Sequence, residues 1–365
     1  MSQLCDQAPE RLCDQAPERV TIVGMSDQDG FAAAVADIDA ATDEPRMRAA
    51  LADAREAAVA ALNLRTPALA LADAWSEVTI RAVAAAARLV TLEAVPWTWF
   101  VSGSVGRGEA IPGSDIETLI SLDNAVDPDA KSMAMVLAAD VLAMLERCGL
   151  NPDGNGVLAS RSRFCRRRSN WSDGIERWCS EPAEDRGVVM IGLLSDCVAV
   201  DEPADGLRAA TLDATRRHPQ ALRAMLQDAT AARPGIPSRL RVFATHVDTV
   251  DVKAAAVEPV VKIARWAAMS AGSDSRFTLE RLDHAAAAGT LDAEDAATLR
   301  ECCAALSHIR WRQRAAPWID GGRVTDLISV STLSPQERAT LRAIGREVNG
   351  IRRKLGFLAS TPSFF

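Results

Sequence analysis

From residue 43 to residue 92, apolar side chains return every three or four positions among Ala, Leu, Arg and Glu, and only Thr66-Pro67 breaks the rhythm. That period predicts two long amphipathic helices. The pattern then changes. WTWFVSG (97–103) and IETLISL (116–122) are dense in β-branched and aromatic residues, and they predict two strands on either side of a glycine-rich turn. Helical spacing resumes at about residue 130 and closes after Arg147, near Gly149. A polar, arginine-rich stretch fills 151–185, and the apolar run GVVMIGLLSDCVAV (187–200) predicts a buried strand ending in acids. From 204 onward the pattern is almost wholly helical, with breaks expected at RPGIPS, SAGSDS and APWIDGG. Helices, then a small strand-containing unit, then a helical region predict an α+β fold.

Length and charge narrow the picture. At 365 residues and 48% hydrophobic content the chain has the mass for about two domains with real cores. Its 41 basic and 49 acidic residues leave a net charge of −8, which gives no general electrostatic reason to bind nucleic acid or an anionic membrane. Neither is expected as a partner. The start of the chain is polar and lacks a signal-peptide pattern, and the most apolar segment, 82–103, is interrupted by Arg88, Glu93 and Pro96. A cytoplasmic protein without a membrane span is expected. The eight cysteines form no CxxC pair and the four histidines do not cluster with them, so a zinc site is not expected. LCDQAPER occurs twice in tandem, at 4–11 and 12–19, within a segment, 1–42, expected to be poorly ordered.

The chemistry concentrates in GSVGRGEAIPGSDIE (103–117). Its glycines are not followed by lysine, as a Walker A loop requires, and their spacing is GxxGxG, not the GxGxxG of a dinucleotide fold. Ten residues separate Ser104 from Asp115-Ile116-Glu117. On a strand, Asp115 and Glu117 project from one face, a pleat apart. Two carboxylates that close repel, and a divalent cation would neutralise them. Gly103 allows close backbone approach to a phosphate, Ser104 offers a hydroxyl, and Arg107 carries compensating charge.

These residues resemble the DNA polymerase beta-like nucleotidyltransferase superfamily, whose motif is an apolar strand, a Gly-[Gly or Ser] turn and a later Asp-x-[Asp or Glu]. More narrowly, Gly103, Ser104, Gly106, Arg107, Glu109, Ser114, Asp115 and Glu117 match the protein-PII uridylyltransferases and the related CBS-associated nucleotidyltransferases. The likeness continues through NGVLASRSRF and Trp178, then Asp251, Lys253, Pro259 and Arg265, then FTLERL and IRWRQ.

The resemblance implies a small mixed-sheet nucleotidyltransferase domain at 93–203, helices before it at 43–92, a substrate-binding helical domain at 204–357 and a tail at 358–365. It implies Asp115, Glu117 and a third acid, Asp196 (fallback Asp201), as catalytic ligands of two Mg²⁺ ions, with Mn²⁺ as a substitute. Gly103, Ser104, Gly106, Arg107, Ser114, Lys253 and Arg265 are the implied nucleotide-binding residues. The donor would be an NTP, UTP or ATP, and the acceptor a PII-like signalling protein or a small molecule, with release of pyrophosphate. The chain departs from the family at Glu117, commonly Asp, and at Val198, where an arginine is usual. A regulator that keeps the fold but does no chemistry is therefore the second reading. The reversed Asp283-His284 pair, without a histidine cluster, gives no sign of a phosphohydrolase that would reverse the transfer. The run Arg161, Arg163, Arg166, Arg167 and Arg168 is read as a solvated loop or as a collar for an anionic partner.

Overall fold

A computed structural model describes residues 25–91, 95–201, 206–231, 235–236, 248–322 and 324–360. The tandem octapeptide and most of RPGIPS lie outside the described residues. Three helices open the fold: α1 (Met25–Ala40), α2 (Glu44–Asn63) and α3 (Ala68–Val90). Helix α1 lies within the segment expected to be poorly ordered. It buries Phe31, Ala34 and Ile38, a stripe that exposed alanines at 32, 33 and 36 keep from standing out in the sequence. Asp43 starts α2 by accepting the Arg46 amide at 2.9 Å, with Pro45 in the first turn where its missing N–H costs nothing.

The sheet follows. β1 (Trp97–Ser102) and β2 (Asp115–Leu122) are the two expected strands and pair antiparallel, with Ser102 opposite Glu117. Between them sits the one-turn helix α4 (Gly103–Gly106). The expected helix after them is α5 (Pro128–Arg147). Short strands β3 (Asn151–Pro152) and β4 (Cys165–Arg167) run parallel to β2, and β5 (Val198–Ala199) lies antiparallel on the far side of β1. The result is a small mixed sheet.

Between β4 and β5 come α6 (Arg168–Ser180) and α7 (Gly187–Ser195). Here the structure corrects the sequence reading: the apolar run that predicts a strand is a helix, and only Val198–Ala199 is extended. An apolar run carries no amphipathic period when nearly every side of it is buried, so strand and buried helix look alike in sequence. The remaining helices are α8 (Gly206–Arg217), α9 (Pro219–Thr230), α10 (Glu258–Ser270), α11 (Thr278–Ala287), α12 (Ala293–Ile319) and α13 (Pro335–Ala359). Helix α12 ends inside APWIDGG, at Ile319, where a break is expected, with Pro317 in its last turn. A two-stranded ribbon, β6 (Thr249–Asp251) with β7 (Leu327–Ser329), joins this region. No described helix is long and apolar enough to cross a membrane.

Strand alternation divides the interior. Trp99, Val101, Ile116 and Ile120 face a core shared with α1, α2, α3 and α5, while Phe100 and Leu119 face a second core built from α6 through α13. Helices α6 and α7 therefore pack with the C-terminal helices, although they fall inside the expected 93–203 domain. Asp115 and Glu117 lie on the same pleat face as Leu119, so they point towards the C-terminal helices.

Of the arginine run, Arg166 stacks its guanidinium over Trp171 and Trp178, at 5.3 and 5.0 Å from the ring centroids. Arg163 pairs with Asp185, and Arg167 donates to the Val126 carbonyl. These three side chains tie local structure together, which favours the loop reading over the collar.

Candidate active site

Gly103 begins the turn at φ +61°, in the left-handed region where a side chain is disfavoured. A Cβ there would come within 2.5 Å of Glu117 Oε2. The second acid of the motif thus fills the space that the glycine leaves open, and turn and strand interlock. Gly106 is equally constrained, since a Cβ would lie 2.1 Å from the Asp196 carbonyl oxygen. Ser114 closes the loop, accepting the Ile111 amide at 2.9 Å and returning its own amide to the Ile111 carbonyl. The Arg314 guanidinium, from α12, donates to the Pro112 carbonyl at 2.9 Å.

Asp115 and Glu117 share a face, and among the described residues no hydrogen bond or ion pair reaches either side chain. Burial pushes the Glu117 carboxyl up to about 7, with the negative charge of Asp153 adding to the rise against Arg107 and Lys253. Asp115 is also raised, by burial first, with Asp153 and Asp326 adding and Lys253 and Arg314 opposing. Such a pair is electrostatically unfinished.

Lys253 supplies the facing cation. It opens a π-helical turn, Lys253–Val257, in which the Glu258 amide reaches back to the Lys253 carbonyl. Pro259 has no amide to continue an α-helical ladder, and Asp251 holds the turn's start by accepting the Ala254 amide at 3.0 Å. Lys253 is exposed and, among the described residues, no carboxylate lies within ion-pair distance of its side chain.

Asp196 is placed differently. It is 1% exposed, at the end of α7, and it accepts from Arg107 Nη1 at 2.6 Å, Arg281 Nη1 at 2.7 Å, Arg265 Nε at 3.1 Å and Arg265 Nη2. Burial alone would raise this carboxyl, but Arg265, Arg281 and Arg107 together hold it far below the usual carboxylate range. Arg107 also donates to Glu109 at 2.8 Å. Arg281 feels its burial most and is lowered to about 10, against the pull of Asp196.

The expected site residues thus fall into two adjoining groups. Gly103, Ser104, Asp115, Glu117 and Lys253 line one; Arg107, Arg265 and Asp196 are locked together in the other, behind Gly106. Lys253 and Arg265 do not act as one helical face, because the π turn intervenes. Among the described residues, no three His, Cys, Asp or Glu side chains are grouped to hold one metal ion, so the expected three-acid set of Asp115, Glu117 and Asp196 is not assembled. The fallback, Asp201, is exposed.

Four participants escaped the sequence reading. Asp153 follows β3 and lies beside Glu117 in the parallel register with β2. Arg281 and Arg310 lie in FTLERL and IRWRQ, segments whose likeness was visible while their contacts were not. Asp326 accepts from Arg310 at 2.7 and 2.9 Å and from Arg314 at 2.9 Å, beside the Lys253 turn.

Residues 47–185 match the family described as "Putative nucleotidyltransferase DUF294", and residues 219–358 match the "Putative nucleotidyltransferase substrate binding domain". These two matches support a nucleotidyltransferase family for the chain and, at that level, a nucleotidyltransferase enzyme. The sheet with its Gly103 turn falls mostly in the first match, and the helices carrying Lys253, Arg265, Arg281 and Arg314 fall in the second. No curated protein matches the chain.

Proposed function

We propose that the protein transfers a nucleoside monophosphate from an NTP to an acceptor hydroxyl, with Mg²⁺ and with release of pyrophosphate. One observation carries this reading: Asp115 and Glu117 stand side by side at the Gly103-Ser104 turn with both pKa values raised, facing Lys253. Mg²⁺ is commonly held by one or two carboxylates together with substrate phosphates, and this pair fits that donor set without a third acid.

Asp115 and Glu117 would hold the cation, whose chemistry is to neutralise charge on the triphosphate oxygens. Gly103 lets the phosphates approach the backbone, Ser104 presents a hydroxyl, and Lys253 supplies a positive charge from the opposite wall. Behind the turn, Arg107, Arg265 and Arg281 outnumber Asp196 and Glu109, so an excess positive charge also favours the anionic donor. Catalysis would be mainly positioning and charge stabilisation. The resemblance points to UTP or ATP as donor and to a PII-type signalling protein as acceptor.

The test is incubation with each labelled NTP, Mg²⁺ and cell extract. Label on an acceptor together with pyrophosphate release, both lost in Asp115→Asn, is expected. Intact NTP binding with neither product would replace this reading with the second one, a nucleotide-binding regulator. The saturation of Asp196 by arginines is the observation that favours that alternative.

A further inference from the structure

An ionised carboxylate has about four lone-pair sites. Those of Asp196 are met by four donors from three arginines. The donors come from separate elements: Arg107 caps α4, Arg265 lies on α10 and Arg281 on α11. We infer that Asp196 is a positioning residue that bolts the C-terminal helices to the Gly103–Gly106 turn, and that it is not a ligand of the cation. This inference rests on the nucleotidyl-transfer reading only in naming the turn's purpose.

The surrounding contacts run along the same path. Arg281 Nη2 donates to the Ser195 carbonyl at 2.8 Å, so α11 grips the end of α7 by both backbone and side chain. Ser102 Oγ donates to the Leu193 carbonyl at 2.6 Å, fixing α7 against the strand that leads into the turn. Arg276 Nη1 donates to the Gly106 carbonyl itself. The Asp196 carbonyl occupies the space beside Gly106 that a Cβ would need. The turn is thus held from the helical side at Gly106 and at Arg107, and Asp196 is where those restraints meet. For Asp196 to bind a cation, arginine donors would have to leave a buried carboxylate, stranding guanidinium groups in a site with little water, which is strongly unfavourable.

Two variants test this beside Asp115→Asn. Arg281→Met leaves Asp196 two guanidinium partners, so it still reports if Asp196→Asn does not fold. Mn²⁺ alone, followed by water-proton relaxation, reads the cation site; amide exchange of 103–108 reads the turn. Expected is Mn²⁺ affinity within about threefold of wild type in both clasp variants, with a loss of about tenfold or more in Asp115→Asn. Exchange in the turn should quicken by about tenfold in the clasp variants at matched global stability, and stay unchanged in Asp115→Asn. Loss of Mn²⁺ in folded Asp196→Asn as deep as in Asp115→Asn would overturn the inference, as would unaltered exchange in the clasp variants. Should wild type bind no Mn²⁺, the nucleotidyl-transfer reading loses its cation, while the exchange measurement still decides the positioning role.

Discussion

Glu117 stores a measurable penalty. Its carboxyl titrates near 7 in the fold against 4.5 unfolded, so between those values the folded state holds a proton that the unfolded state has lost. Stability therefore falls as pH rises from 4.5 to about 7, and stays lowered above that. Glu117→Gln removes the charge and keeps the shape. It should match wild type near pH 4 and exceed it above pH 7 by about 3 kcal/mol in denaturant unfolding. An equal stability at both pH values would contradict the assignment. Asp153→Asn takes away a neighbouring negative charge, and the Glu117 titration, followed by carbon NMR, should move down towards the ordinary range. The carboxylate pair was legible in the sequence because a period of two places i and i+2 on one face. The part of Asp153 was not, since it depends on the parallel register of a two-residue strand after α5.

At the scale of elements, the turn and its two strands were legible, because residue type and spacing are local properties. The helices α2, α3 and α5 were legible for the same reason. The run that became α7 was not, since burial on nearly every side erases the period that separates helix from strand. Helix α1 was hidden because alanines lie on its exposed sides, at 32, 33 and 36, as well as on the stripe packed against α2 and α3, which blurs the period. The turn itself tolerates little change. Gly103→Ala would impose a left-handed backbone on a residue with a Cβ, costing about 1–2 kcal/mol, and would press that Cβ onto the Glu117 carboxylate. The expected result is a modestly lowered unfolding midpoint with nucleotide binding lost. Wild-type binding in a folded Gly103→Ala would show that the interlock of turn and strand does not matter.

Across the whole molecule, the C-terminal helices complete the site as well as packing beside it. They deliver Lys253 to the acids, Arg314 to the motif loop, and Arg265 and Arg281 to Asp196. The sequence showed these segments in order but not the job of Asp196, because its partners lie 69, 85 and 89 residues away and only the folded chain brings them together. The central claim is that Asp115 and Glu117 receive a cation and a triphosphate together. Calorimetric titration with ATP and with UTP, each with and without Mg²⁺, into wild type and Asp115→Asn tests it most directly. The account predicts binding of at least one nucleotide that requires Mg²⁺ and weakens by about tenfold or more in the variant. Binding of equal strength in both proteins, or binding indifferent to Mg²⁺, would contradict it.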